Sequence, residues 1–236
     1  MATTVEEFEE LVFAYARAHG QPFIKWQDRA KLRAYISRQL FRFVEQTKVL
    51  YDDNVTFDTT SSDDGTYDLL DTTIFSRAVL EPEVVLVESL PLLDTSGLPG
   101  LYSVSELNDL PFDYRTMTDG RPEYAALFPP QTLRLAPAPD AAYDVTISGW
   151  VQHFDLTGSS VKDTTDMELG DGTVDAAAMF IAGEFIMVGG EGPSLAAGAG
   201  LSEKGLAMAK RASGRAASFL QGPTIRGRRT PSRYRL

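Results

Sequence analysis

Apolar residues in the first 50 positions of the chain recur at the spacing of an α-helix. Thr4 and Glu7 form a capping-box pattern at the start of a first helix, which Gly20 and Pro22 should end. The same spacing predicts a second helix from about Gln27 to Thr47. Its other positions include the basic residues Arg29, Lys31, Arg33, Arg38 and Arg42. We interpret this basic face as a solvated helix surface, with a partner surface for nucleic acid or an acidic protein as the alternative.

Between about Tyr51 and Phe154 the pattern changes to short runs in which apolar and polar residues alternate, as in strands with one buried face. Such runs lie at 55–57, 66–69, 132–135 and 143–150. Turn-forming residues separate them. Asp64-Gly65 is predicted as a hairpin tip, 119–122 as a turn, and 137–140 as a tight link between the last two strands.

Helical spacing returns from about Thr173 to Val188, and a last helix is predicted from about Ser202 to Leu220. The segment between them is rich in glycine and too permissive to be rigid by itself, and we predict a flexible joint at Gly198-Ala199-Gly200. The elements together predict an α+β fold, a helical bundle of about four helices with an inserted antiparallel β domain and an extended C-terminal arm. The expected division is N-terminal helices at 1–50, the β region at 51–155, C-terminal helices completing the helical domain at 156–220, and a basic arm at 221–236.

Charge is distributed unequally along the chain. Positions 201–236 hold nine basic residues and one acidic residue, although the whole chain has 22 basic and 33 acidic residues and a net charge of −11. The last fifteen residues contain five arginines, two prolines, two glycines and no acid. Such a segment cannot form a core of its own, so it is either a solvated disordered tail or a docking arm.

The free-energy cost of ordering the tail indicates which contacts a docking arm would have to make. Ordering about sixteen residues costs on the order of 1–2 kcal/mol each in backbone entropy, whereas an exposed ion pair returns about 0.2–1 kcal/mol. A specific dock must therefore also bury apolar side chains or add a strand to a partner's sheet. The candidate arm residues are Ile225, Arg226, Arg228, Arg229, Arg233, Tyr234, Arg235 and Leu236.

Candidate catalytic and metal-binding patterns are weak. The chain has no cysteine, which removes disulfides, thiolate metal sites and cysteine nucleophiles. A triad built from His153 and Asp155 with Ser148 or Ser160 has no supporting pattern, and we expect His153 to be a strand-end histidine with ordinary hydrogen bonds. We predict no catalytic residue, cofactor or metal site.

Acidic clusters leave two further alternatives open. Pairs such as Asp63-Asp64 could bind a cation, or they could serve an enzyme that cleaves polysaccharide with paired carboxylates. Their spacing fits neither chemistry well, and turn formation is the preferred interpretation. The N-terminus lacks the pattern of a signal peptide and no apolar stretch reaches membrane-spanning length, so we expect an intracellular protein that does not contact membranes.

Five segments, in order along the chain, resemble the sequence pattern of tailed-bacteriophage head-to-tail adaptor proteins. They are 32–47 (LRAYISRQLFRFVEQT), 67–69 (YDL), 103–107 (SVSEL), 120–124 (GRPEY) and 133–147 (LRLAPAPDAAYDVTI), the last being the most specific. Two features depart from the family pattern. The tryptophan expected shortly before Gly120 is absent, and Leu70 stands where the family has proline.

The resemblance implies a structural virion protein without catalysis. It implies a homo-oligomeric ring, expected to be a dodecamer, that attaches to the portal, carries a tail protein (nozzle, stopper or tube) and lets DNA only pass through its channel. The protein would be made in the host bacterial cytoplasm and reside at the head-tail interface, and the arm residues would dock on the portal. The alternative is a nucleic-acid-binding protein that uses the basic helix face and the C-terminal tail, against which the net charge of −11 argues.

Overall fold

Five α-helices and two antiparallel sheets make up the described part of the computed structural model, which covers residues 2–19, 29–110, 113–189 and 193–220. The helices are α1 (Val5–Ala18), α2 (Arg29–Thr47), α3 (Val104–Asn108), α4 (Asp171–Gly189) and α5 (Pro193–Leu220), with a short 3-10 helix at Tyr114–Thr116. The strands are β1 (Tyr51–Asp58), β2 (Thr66–Asp68), β3 (Val79–Val87), β4 (Leu90–Pro91), β5 (Tyr124–Phe128), β6 (Thr132–Ala136) and β7 (Asp144–Val151). The predicted α+β class is confirmed.

The predicted start of α1 is confirmed in detail. The Thr4 hydroxyl accepts a hydrogen bond from the Glu7 backbone N–H at 3.3 Å, and the Glu7 carboxylate accepts one from the Thr4 N–H at 2.8 Å. This capping box satisfies two backbone donors at the helix end. The buried face of α1 packs against α4, and α2 contacts both α4 and α5.

The glycine-rich segment after α4 differs from its prediction. The last helix begins at Pro193 rather than at about Ser202, so Gly198 and Gly200 lie inside α5. A Cβ atom on Gly198 would lie 2.9 Å from the carbonyl oxygen of Gly183, and one on Gly205 would lie 2.5 Å from that of Ala176. The flexible joint predicted at 198–200 is therefore wrong, because these small residues let two helix backbones touch and the packing outweighs their weak helix propensity.

The two sheets pair strands that are distant in sequence. One sheet has the order β1-β7-β3-β4 and the other the order β2-β6-β5. The hairpin predicted at Asp64-Gly65 is wrong, because β1 pairs with β7 while β2 pairs with β6. Gly65 instead begins the pairing of β2 with β6, with φ of 77° and its carbonyl oxygen accepting the Leu135 N–H at 2.7 Å. Positive φ favours glycine at this position.

The link predicted at 137–140 between two strands is confirmed. It joins β6 to β7, and these strands lie in different sheets, so the two strands do not form a hairpin. Thr59 holds the far end of this link, since its hydroxyl donates to the Ala141 carbonyl at 3.1 Å and accepts the Tyr143 N–H at 3.0 Å. Thr59 is fully buried, and its hydrogen bonds offset the cost of burying a hydroxyl.

One continuous core joins the helices to both sheets. It includes Phe8, Phe43 and Phe180 from the helices and Val85 and Ile147 from the larger sheet. A second, smaller core lies between the three-stranded sheet and the segment that contains α3. Its buried members are Tyr102, Leu107, Tyr114, Ala126 and Ala136. The described residues of this segment, 102–110 and 113–117, thus cover one face of the small sheet.

Candidate interaction surfaces

The predicted docking arm, Ile225, Arg226, Arg228, Arg229, Arg233, Tyr234, Arg235 and Leu236, lies outside the described residues. The segment of 16 residues from 221 to 236 follows directly on α5, whose last residue is Leu220. The docking arm therefore stays a prediction. The surfaces formed by the described residues are the ones that the arm or a partner protein could contact.

The basic face of α2 is largely neutralised within the chain. Arg33 Nε donates to Glu9 Oε1 at 2.6 Å and Arg33 Nη2 donates to Asp163 Oδ1 at 2.6 Å. Arg29 forms ion pairs with the same two carboxylates at 3.2 and 2.9 Å. Arg42 pairs with Glu184 at 3.2 Å. The solvated face predicted for α2 is wrong for Arg33, whose side chain is 15% exposed, while Lys31 and Arg38 are exposed as expected.

These contacts form a clasp, which we define as Glu9, Arg29, Arg33 and Asp163. Glu9 is 4% exposed, so its negative charge needs the two guanidinium groups. The hydrogen bond from Arg33 holds the pKa of the Asp163 carboxyl below its ordinary value, and the Glu9 carboxylate raises the pKa of Arg33. Backbone bonds reinforce the clasp, since the Val5 N–H donates to Thr165 O at 2.9 Å. The clasp ties α1 and α2 to the segment before α4.

His153 has the structural role that we predicted. It is 2% exposed, its Nδ1 lies 2.9 Å from the Phe154 carbonyl oxygen, and its Nε2 lies 3.4 Å from the Glu168 backbone nitrogen. This pattern fits a neutral ring in which Nδ1 donates and Nε2 accepts. Burial lowers the pKa of His153 and supports the neutral form. Ser148 of the imagined triad instead donates to the Asp53 carbonyl oxygen at 3.2 Å.

The acidic clusters form turns and ion pairs. Seven aspartates each accept a hydrogen bond from the backbone N–H two residues later, the arrangement of an Asx-turn. They are Asp52, Asp64, Asp68, Asp71, Asp94, Asp113 and Asp155. Arg77 also joins Asp52 to Glu168 by ion pairs. Turn formation, the interpretation preferred from the sequence for the acidic clusters, is thus confirmed at Asp52, Asp64, Asp68 and Asp71.

Two kinds of feature are absent from the described residues. No group of three or more histidine, aspartate and glutamate side chains there is placed to hold a metal ion. Among the helices of the same described ranges, none combines the length and apolar character needed to cross a membrane.

The strongest exposed apolar feature was missed by sequence reasoning. Leu90 and Leu93 are 57% and 44% exposed and line an open groove of about 510 Å³, and Leu98, which is 62% exposed, lies five residues beyond Leu93. Tyr102 and Tyr124 also line this feature, which we name the leucine groove. The sequence did contain a sign of it, because four leucines at 90, 92, 93 and 98 stand among prolines, glycines and other turn-forming residues.

Comparison with known proteins yields no assignment for the chain. No protein-family model matches it, and no curated protein matches its sequence.

Proposed function

We propose that this chain is a head-to-tail adaptor of a tailed bacteriophage, a structural virion protein that assembles as a ring on the portal. In this proposal the ring offers a docking platform for tail proteins and leaves a channel for DNA. We also propose the finer architecture of a helical bundle, formed by 1–50 and 156–220, with an inserted antiparallel β domain at 51–155 and an extended basic arm. The ring is expected to be a dodecamer at the head-tail interface.

One observation carries the proposal most strongly. α1 and α2 pack against α4, and α2 also contacts α5, although the strands lie between these helix pairs in sequence. This is the arrangement expected of a β region inserted into a helical unit. The segments that carry the resemblance occupy its central elements, since 32–47 lies in α2 and 133–147 spans the link between the two sheets.

Charge supports the same function. Positions 1–200 hold 13 basic and 32 acidic residues, and the arginines of α2 that are described above are largely paired within the chain. An acidic surface facing a channel would repel DNA phosphates and allow the genome to slide. A basic arm on each copy would hold the ring to an acidic neighbour through many individually weak contacts.

Chromatography with light scattering tests the proposal. The purified full-length chain, its cognate portal and their mixture are run separately, and the mass of each peak is measured. Co-elution of a ring-sized multiple of the chain with an intact portal is expected. A chain that stays monomeric beside an intact portal contradicts the proposal.

Arm variants sharpen this test. Removal of Gly222–Leu236 should leave the fold intact and abolish portal attachment. Replacing the five arginines of the arm by serine should slow association and reduce its salt dependence. Replacing Ile225, Tyr234 and Leu236 by serine should instead speed dissociation, because buried apolar groups hold a complex once it has formed. Attachment that is unchanged by removal of the arm excludes the arm as the portal contact.

A further inference from the structure

The leucine groove is a place where apolar side chains are exposed above a polar rim. Leu90 belongs to β4, which pairs with β3 at the edge of the larger sheet, and Leu93 and Leu98 lie in the loop that follows. The rings of Tyr102 and Tyr124 pack edge to face with their centroids 5.6 Å apart and line the same groove. Clustered exposed apolar groups with a polar rim are typical of binding surfaces.

The rim of the leucine groove carries negative charge. Asp94 and Glu123 line it, and Glu106 lies within 3.4 Å of Thr95 on the same loop. Burial raises the pKa of the Tyr102 hydroxyl, and Tyr124, Asp94 and Glu106 raise it further. Arg121 is the basic residue of the lining, but Glu88 lies 3.5 Å from its Nε and partly neutralises it. A suitable occupant is therefore apolar and positively charged.

We propose that the leucine groove is the docking site for the C-terminal end of the same chain, with Tyr234 and Leu236 against the exposed leucines and Arg233 and Arg235 at the acidic rim. This segment alternates basic and large apolar residues, as Arg233-Tyr234-Arg235-Leu236. In an extended peptide such alternation places the two kinds of side chain on opposite sides, so the apolar side chains face the groove and the arginines must bend back along the peptide to meet the rim. The apolar contacts supply the favourable free energy of burial, because exposed ion pairs of the arginines alone are too weak to order the segment.

The end of α5 lies on the helical side of the molecule. α5 runs antiparallel to α4, because Gly198 approaches Gly183 while Gly205 approaches Ala176. The end of α5 therefore lies toward the Asp171 end of α4. This end is close to β7, since the Glu168 backbone contacts His153, which follows Val151.

The length of the tail is comparable with the axial distance to the groove. From Ala209 to Leu220, α5 extends by about 17 Å, and the eight residues of β7 extend by about 26 Å toward Asp144. The leucine groove lies at that end, because Leu90 pairs with Val87 and Val87 with Val145. Tyr234 is the fourteenth residue after Leu220 and can lie up to about 46 Å away in an extended chain. This reach is comparable with the sum of the two lengths, to which the lateral steps between α5, α4 and the strands add, whereas the reach of Ile225 is much shorter.

The contact has a regulatory consequence that rests on the proposed function. A tail held in the leucine groove is withheld from the portal, and a portal that captures the tail uncovers the leucines. Portal attachment would then precede binding of a tail protein at the same groove. The contact between tail and groove requires no portal, so the two ideas are tested separately.

Cysteine pairs in the full-length chain test the contact directly, since the chain has no cysteine of its own. The pair S96C and S232C places one thiol on the exposed loop of the groove and one beside Arg233. The control pair is S61C and S232C, because Ser61 is exposed and follows β1 at the same end of the larger sheet. Disulfide formation with oxidised glutathione is followed by non-reducing electrophoresis at low protein concentration, after circular dichroism has shown equal folding.

The S96C and S232C pair is expected to form an intramolecular disulfide at least about tenfold faster than the control pair. Adding Tyr234→Ser and Leu236→Ser should remove that difference. Equal rates for the two pairs, or products linked only between two chains, overturn the proposal. In a further experiment, intact portal is added to the S96C and S232C pair before oxidation. Slower closure supports the regulatory consequence, and closure unaffected by a portal that does not bind contradicts the proposed function while leaving the contact standing.

Discussion

The α4–α5 pair and the β part use small and polar residues in contrasting ways. In the helix pair, glycines bring two backbones into contact, so that added atoms at Gly183 or Gly205 would overlap main-chain atoms. In the β part, aspartate side chains fix exposed turns, and leucines remain exposed beside them. The contrast teaches that tolerance to substitution depends on what a residue touches rather than on its type.

The clasp should give the largest effect on stability. Arg33→Met removes a partner of the buried Glu9 carboxylate, and breaking such a buried pair costs about 3–5 kcal/mol. Arg29→Met is the matched control, because Arg29 is 54% exposed on the same helix and should cost about 1 kcal/mol or less. Urea unfolding followed by circular dichroism measures both. Equal costs for the two variants mean that the clasp does not depend on burial.

Alanine substitutions at two glycines of α5 should change the free energy of unfolding in opposite directions. Gly205→Ala places a Cβ atom 2.5 Å from the Ala176 carbonyl oxygen and should lower the free energy of unfolding by about 1–3 kcal/mol. Gly200→Ala meets nothing within 4 Å and should raise it by about 0.5–1 kcal/mol, because alanine favours a helix. Thermal unfolding measures the two shifts. If both variants are stabilised, the backbones of α4 and α5 are not in close contact.

His153 should make stability depend on pH. Burial lowers its folded pKa below the ordinary value of 6.5, so its contribution is fully present above that pH and is lost as the pH falls toward the folded pKa. The slope contributed by one histidine reaches at most about 1.4 kcal/mol per pH unit. Urea midpoints between about pH 5 and 8 measure it. The slope should be smaller in His153→Gln, with exposed His19→Gln as the control, and an unchanged slope in His153→Gln contradicts the assignment.

The exposed leucines should give the smallest effect on stability. Leu98→Ser should change the free energy of unfolding by no more than about 0.5 kcal/mol, because Leu98 is 62% exposed. Leu107→Ala, in the second core nearby, should cost about 2–5 kcal/mol because Leu107 is 1% exposed. Urea unfolding compares the two. A large loss in Leu98→Ser that persists after removal of 222–236 means that Leu98 packs against the described part of the chain and is not free to bind a partner.

Residue spacing predicted the helices better than the sheets. α1, α2 and α4 follow the predicted spacing, and four predicted strands correspond to β1, β2, β6 and β7. Helical periodicity is local, so it is visible in one segment. Strand pairing joins distant segments, such as Tyr51 with Trp150. The turn residues at Asp64-Gly65 could not reveal that β1 pairs with β7 rather than with β2. The candidate surfaces could not be predicted for the same reason, because the exposure of Leu98 depends on which distant segments of the chain pack against it.

The sequence by itself determined the α+β class, the apolar faces of the helices and the separation of an acidic body from a basic end. These properties depend on residue spacing and composition, which are present in the unfolded chain. The tertiary structure alone decided that Gly198 belongs to a helix, that Arg33 is paired with Glu9, and that the leucine groove exists. The physical reason is that the free energy of a glycine, a charge or a leucine depends on its surroundings, and folding brings those surroundings from distant parts of the chain.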